Sequence, residues 1–149
     1  MPHVDVGWAA LAGFAAGYVM ALLAYWLEGV FGIPRLDFGH TGIKYLGGEK
    51  PGAWAVGIAF HLVDSVLLAL LYAGAVYPNI THGVILAGLA AGLAYGIVLW
   101  LVLAMLIVMP LMGSGPFAVR TGSWKPAAAS LVIHLVFGAI LGGVYVPMI

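Results

Sequence analysis

Four long apolar runs, broken by short polar interruptions, organise the chain: residues 6–31, 53–76, 83–112 and 127–145. A helix needs about 20 mostly apolar residues to cross the hydrocarbon core, and each run is long enough. Lipid cannot hydrogen-bond a backbone, so each run must satisfy its own N–H and C=O groups as a helix. Turn chemistry fills the gaps: Gly32 with Pro34, Pro51-Gly52, Pro78-Asn79, and Gly113-Ser114-Gly115-Pro116. The pattern predicts an all-α integral membrane four-helix bundle, a single transmembrane domain occupying residues 1–149. Residues 1–31 lack a basic n-region, and their apolar run is too long for a signal-peptide h-region. They are read as a retained first span.

Composition agrees with that pattern. Of 149 residues, 64% are hydrophobic and 7% charged, against about 45–50% and about 25% in soluble domains. The formal net charge is zero, and five Lys and Arg are too few for a nucleic-acid surface. The absence of Cys excludes disulfides, thiolate-held iron–sulfur clusters, thioether-linked haem and Cys-type zinc sites. All five cations fall in two of the gaps: Arg35, Lys44 and Lys50 in one, Arg120 and Lys125 in the other. The positive-inside rule therefore places loops 32–52 and 113–126 in the cytoplasm and both termini outside a cell membrane. Trp8, Trp54, Tyr77, Trp124 and Tyr145 lie at span ends, where an aromatic belt is expected.

The two halves echo each other. Leu11-Ala12-Gly13-Phe14-Ala15-Ala16-Gly17 returns as Leu86-Ala87-Gly88-Leu89-Ala90-Ala91-Gly92, and Ile33-Pro34 with Gly39 returns as Met109-Pro110 with Gly115. His61-Leu62-Val63 returns as His134-Leu135-Val136, with Tyr72 and Tyr145 at the same offset. Four echoes in one order predict a duplication, with repeats at about 6–78 and 83–147. Each unit has an even number of spans and so inserts the same way round. The expected arrangement is two parallel two-helix repeats about a pseudo-twofold axis along the membrane normal. Gly13-xxx-Gly17 and Gly88-xxx-Gly92-xxx-Gly96 are read as close-packing faces without chemistry.

The stretch Val108-Met109-Pro110-Leu111-Met112-Gly113-Ser114-Gly115, followed by Ile133-His134-Leu135-Val136-Phe137-Gly138 and on through Tyr145, resembles a family of small bacterial and archaeal membrane proteins. That family is of unknown function and distantly similar to the YagU-like inner-membrane proteins. Phe60-His61 through Tyr77-Pro78, and Pro34-Arg35-Leu36-Asp37, resemble its earlier segments. The resemblance implies four helices with one His in the second and one in the fourth, and it implies no activity. Asp64 and Glu28 have no match in the family pattern.

Ionisable groups inside a membrane are costly and mark functional sites by default. His61, Asp64 and His134 are the three that stand out. Each His lies about 12 Å from the cytoplasmic end of its span at 1.5 Å per residue. Gly57 and Ser65 flank His61 at four-residue spacing, as Ser130 and Gly138 flank His134, so each imidazole is expected to have a slot beside it. Paired His at one depth on two bundle helices is what haem b needs for two axial ligands. The alternative is that the imidazoles hydrogen-bond each other, Ser65, Ser130 or water, and hold the bundle together. A bare metal ion on His61 and His134 is thinly ligated even with Asp64. Asp64 follows His61 by three residues and shares its helix face. It is expected inside the bundle, orienting a ligating His61 or relaying protons with it. His3, His40 and His82 read as solvated, and Glu28 as structural.

No nucleophile–base set, phosphate-cradling loop or carboxylate pair is present, so the chain is not read as an enzyme. The function expected is a small membrane subunit of a larger respiratory or redox complex, ligating haem b through His61 and His134. The alternatives are a structural subunit without cofactor, or a proton-coupled transporter using His61 and Asp64. Partners would be other integral membrane proteins, further copies of the chain, and the bilayer.

Overall fold

The computed structural model of the chain describes residues 4–31, 36–80 and 85–145. Among them every regular element is helical. α1 spans Val6–Phe31, and a short α2 covers Phe38–Tyr45 in the first loop. α3 runs Ala53–Ile80. α4 is continuous through Ile85–Leu99, a π segment at Trp100–Val108, and Met109–Leu111. α5 covers Lys125–Val144. Helices α1, α3, α4 and α5 are each long and apolar enough to cross a membrane. Arg35, His3 and His82, together with Gly83 at the predicted start of the third span, lie outside the described residues.

One predicted boundary moves. Pro78-Asn79 reads as a turn in the sequence, yet α3 continues through Pro78 to Ile80. Proline lacks an N–H, and its ring clashes with the carbonyl four residues back. A π turn over Tyr72–Val76 widens the helix just upstream and relieves that clash. Asn79 Nδ2 then donates to the Ala75 carbonyl at 2.8 Å. Pro110 is accommodated in the same way, after the π segment of α4.

The helices pack in the order α3, α1, α5, α4, with α2 lying along α3. Small residues set these contacts, because lipid supplies no hydrophobic drive between helices and close backbone approach must replace it. A Cβ added at Gly88, Gly92 or Gly96 would strike carbonyl oxygens of Gly142, Gly138 or His134, respectively. Gly13 and Gly17 of α1 meet Ser65 of α3, and Gly13 also meets Ala69. Gly42 of α2 lies against the Ala53 carbonyl and the Gly57 backbone.

One carboxylate ties α2 down. Asp37 Oδ1 caps the helix by accepting from the backbone N–H groups of Gly39 (2.8 Å) and His40 (3.3 Å). It also accepts from Tyr25 Oη of α1 (2.8 Å) and Trp54 Nε1 of α3 (3.1 Å). At its far end Lys44 Nζ reaches the Leu111 carbonyl of α4 at 3.4 Å.

The opposite end of the bundle is closed by tyrosines. Tyr72, Tyr77, Tyr95 and Tyr145 are all buried and pack ring against ring. Tyr77 and Tyr145 are therefore core residues, where the sequence places them in an interfacial belt. Trp54 and Trp124 are exposed.

Candidate functional site

Among the described residues, α3 and α4 meet chiefly at the tyrosine end. There Tyr72 Oη donates to the Gly88 carbonyl and Tyr95 Oη to the Leu68 carbonyl, both at 2.9 Å. Below Leu68, toward the loop end, the two helices part and leave a half-enclosed cavity of about 710 Å³. Sites for small molecules and cofactors commonly occupy about 300–1,000 Å³. The walls are largely apolar and aromatic: Phe60 and Leu68 of α3, Leu99 and Leu103 of α4, and Phe137 of α5. α2 forms the floor. All five residues singled out in the sequence (His61, Asp64, Ser65, Ser130 and His134) line this one cavity.

The two imidazoles are held differently. His61 Nε2 lies 3.0 Å from the Gly17 carbonyl of α1. A carbonyl only accepts, so that nitrogen carries the proton, and in the neutral ring Nδ1 keeps the lone pair. Phe38 of α2 stacks on the same ring, with centroids 3.9 Å apart and planes 11° from parallel. His134 makes the opposite choice. Its Nδ1 donates to the Ser130 carbonyl one turn back at 2.7 Å, so in the neutral ring Nε2 is the acceptor. Neither acceptor nitrogen has a hydrogen-bond partner among the described residues.

Several expectations change in detail. The imidazoles do not bond each other among the described residues; each bonds a backbone carbonyl. Ser65 Oγ donates to the carbonyl of His61 at 2.7 Å, so it serves the backbone of that turn and not the ring. Ser130 engages His134 through its carbonyl, not its hydroxyl. The small-residue slots are absent as well. Gly57 is covered by the backbone of Gly39 and Gly42, and Gly138 by that of Gly92. The space beside the histidines comes from the separation of α3 and α4 instead.

Asp64, expected inside the bundle, is exposed, although it does line the cavity, and it is the Gly17 carbonyl that orients His61. No hydrogen bond or ion pair reaches its carboxylate from the described residues, although it interacts electrostatically with His61. Glu28 is exposed near the loop end of α1. His40 is exposed, as a solvated residue would be, and also borders the cavity. Among the described residues no three His, Asp or Glu side chains gather as a bare metal ion would require.

Two contributors were missed in the sequence. Asp37 had a readable signal, an Asp directly ahead of a helix, which is an N-cap signature. Phe38 had none; its stacking on His61 depends on how α2 folds back over α3. No family model, curated protein or solved structure matches the chain.

Proposed function

We propose that this chain is a small multi-pass membrane subunit of a larger redox assembly, holding a planar, largely apolar ligand between His61 and His134. The observation that carries this reading is convergence. Two histidines from helices α3 and α5 border one roomy apolar cavity, each with one nitrogen fixed on a carbonyl and the other unpartnered among the described residues. In this proposal loops 32–52 and 113–126 face the cytoplasm and both termini face out. The two halves are a parallel duplication. Gly13 and Gly17 of α1 pack on α3 as Gly88 and Gly92 of α4 pack on α5, which supports that part. The resemblance to YagU-like membrane proteins belongs to the same proposal and adds no activity.

Haem b is the ligand that paired histidines first bring to mind. His134 suits it: an imidazole anchored through Nδ1 presents Nε2 to a metal, with the carbonyl fixing tautomer and ring orientation. His61 suits it less, because its Nε2 is engaged by Gly17 and one ring face is covered by Phe38. Ligation there would use Nδ1 or give up the Gly17 bond.

A visible absorption spectrum of the purified protein tests this. Bound haem b gives a Soret band, with α and β bands on reduction, and His61→Ala or His134→Ala each abolishes the low-spin form. A spectrum with no Soret band removes haem from the proposal. The two histidine–carbonyl bonds favour a second reading, in which the imidazoles only fasten α3 to α1 and stiffen α5. That reading predicts that neither alanine variant alters binding of any ligand.

A further inference from the structure

We propose that the occupant of this cavity is a membrane quinol, the reduced dihydroxy form of a lipid-soluble quinone. The inference rests on the reading of the cavity as a ligand site and narrows the class of ligand.

The argument begins with hydrogen-bond polarity. Gly17 and Ser130 offer carbonyls, which can only accept, so each neutral imidazole spends its N–H on the backbone. What remains on these two cavity-lining residues is a lone pair on His61 Nδ1 and a lone pair on His134 Nε2. Asp64, when ionised, adds a third group that only accepts. A site built this way is satisfied by a molecule that donates from two places. Quinones and ethers carry only acceptors and would leave each histidine nitrogen facing another lone pair. A buried acceptor without a donor forfeits the bond and still bears the desolvation cost.

The walls argue for the rest of the molecule. The stacked rings of Phe38 and His61 line the cavity together with Phe60, Phe137 and Met109. Aromatic and thioether groups pack favourably on the face or edge of a ring. Exposed residues of two long apolar helices, Phe60 and Asp64 of α3 and Val108 of α4, line the cavity together with His40 and Tyr45 of α2. A ligand dissolved in the bilayer can therefore enter sideways and leave an alkyl tail among the lipids. A flat ring, two hydroxyl donors and an apolar tail together describe a quinol.

The test is titration calorimetry on the full chain in phosphatidylcholine nanodiscs under argon. Three probes are used: a decyl-substituted benzoquinol, the matching quinone, and the dimethyl ether of the quinol. The expected result is that the quinol binds at least roughly tenfold more tightly than either of the others, the scale of one well-made hydrogen bond. His134→Phe should remove that preference while weak apolar binding of all three survives. Should His134→Phe fail to give a monodisperse protein, His134→Met removes the same acceptor with a flexible apolar side chain. Equal binding of the three probes to the unaltered protein overturns the quinol inference and leaves a ligand site standing. A Soret band in the protein as purified does the same, since the cavity then holds haem. No binding of any probe, in a protein without a Soret band, overturns both the quinol and the ligand site.

Discussion

Helix α4 has two neighbours and treats them in opposite ways. Against α5 it presents Gly88, Gly92 and Gly96, and the two backbones come so close that no Cβ fits between them. Against α3 it presents Leu99, Leu103 and Val108, and beyond the tyrosine end the helices stand apart around a cavity. The open face, two leucines and a valine against three glycines, is the more apolar of the two, so hydrophobicity does not decide which one closes. In water both would be driven shut, but in lipid an apolar side chain gains nothing by leaving the tails for another helix. Contact is made where small residues allow dense backbone packing. Where they stop, the bundle opens unless something else holds it, and here two tyrosine hydrogen bonds hold only the upper part.

The sharpest way to break this contrast is to thicken the closed interface. Gly92→Val places methyl groups against the Gly138 carbonyl and the Gly142 backbone, and backbone cannot step aside as a side chain does. Overpacking of this kind typically costs 1–3 kcal/mol, and a rigid backbone obstacle puts Gly92 at about 3 kcal/mol. A fall in detergent melting temperature and loss of the monodisperse species would report it. Gly143→Val is the control, because nothing lies within 4 Å of a Cβ there. It should melt within a degree or two of the parent. Similar losses at both positions would show that the glycines matter for flexibility and not for helix contact.

The second effect concerns the floor of the open side. Asp37 Oδ1 caps α2 through two hydrogen bonds and ties it to α1 and α3 through two more. Asp37→Ala removes the cap and both side-chain anchors, and losing a cap costs about 0.5–2 kcal/mol. The expected result is a modest loss of global stability, with a larger rise in thiol accessibility at a Thr41→Cys reporter on α2. Asp37→Asn keeps an acceptor and should restore most of the protection. If Asp37→Ala leaves Thr41→Cys as protected as before, the glycine contact of α2 with α3 is what holds the floor.

These two regions also differ in how far the sequence revealed them. The closed interface is written in the chain: glycines at four-residue spacing announce a close-packed face, and α5 duly supplies Gly138 and Gly142 opposite them. Span lengths are equally plain, because a bilayer demands about 20 apolar residues and punishes any other solution. Pro78 misled because a proline is locally a helix breaker, and its accommodation by a π turn depends on hydrogen bonds that no periodicity shows. The cavity was visible only through its histidines. His61 and His134 were picked out because ionisable groups are rare in lipid, and they do border one space. Its shape comes from a separation of α3 and α4 that composition does not encode. Ser130 was singled out for its hydroxyl and Gly17 for its packing, yet each meets its histidine through a backbone carbonyl, which no residue type announces.

The smallest expected effect is at Asp64, and it is informative because it is small. A carboxylate in a membrane helix costs about 2.5–3.5 kcal/mol on insertion scales, so a residue kept for stability should be well partnered. Asp64 receives no hydrogen bond or ion pair from the described residues and stands exposed along the cavity beside His61. No hydrogen bond or ion pair among the described residues is lost when it goes. Asp64→Leu should therefore unfold at or slightly above the parent melting temperature, and Asp64→Asn should match the parent. Quinol affinity should fall in Asp64→Leu even as stability holds, which would separate a ligand contact from a packing role. A loss of more than about 1 kcal/mol, the scale of a single hydrogen bond, would mean that the carboxylate is held by a partner in the membrane. Asp64 would then be part of the scaffold, and the open side of α3 would be an interface.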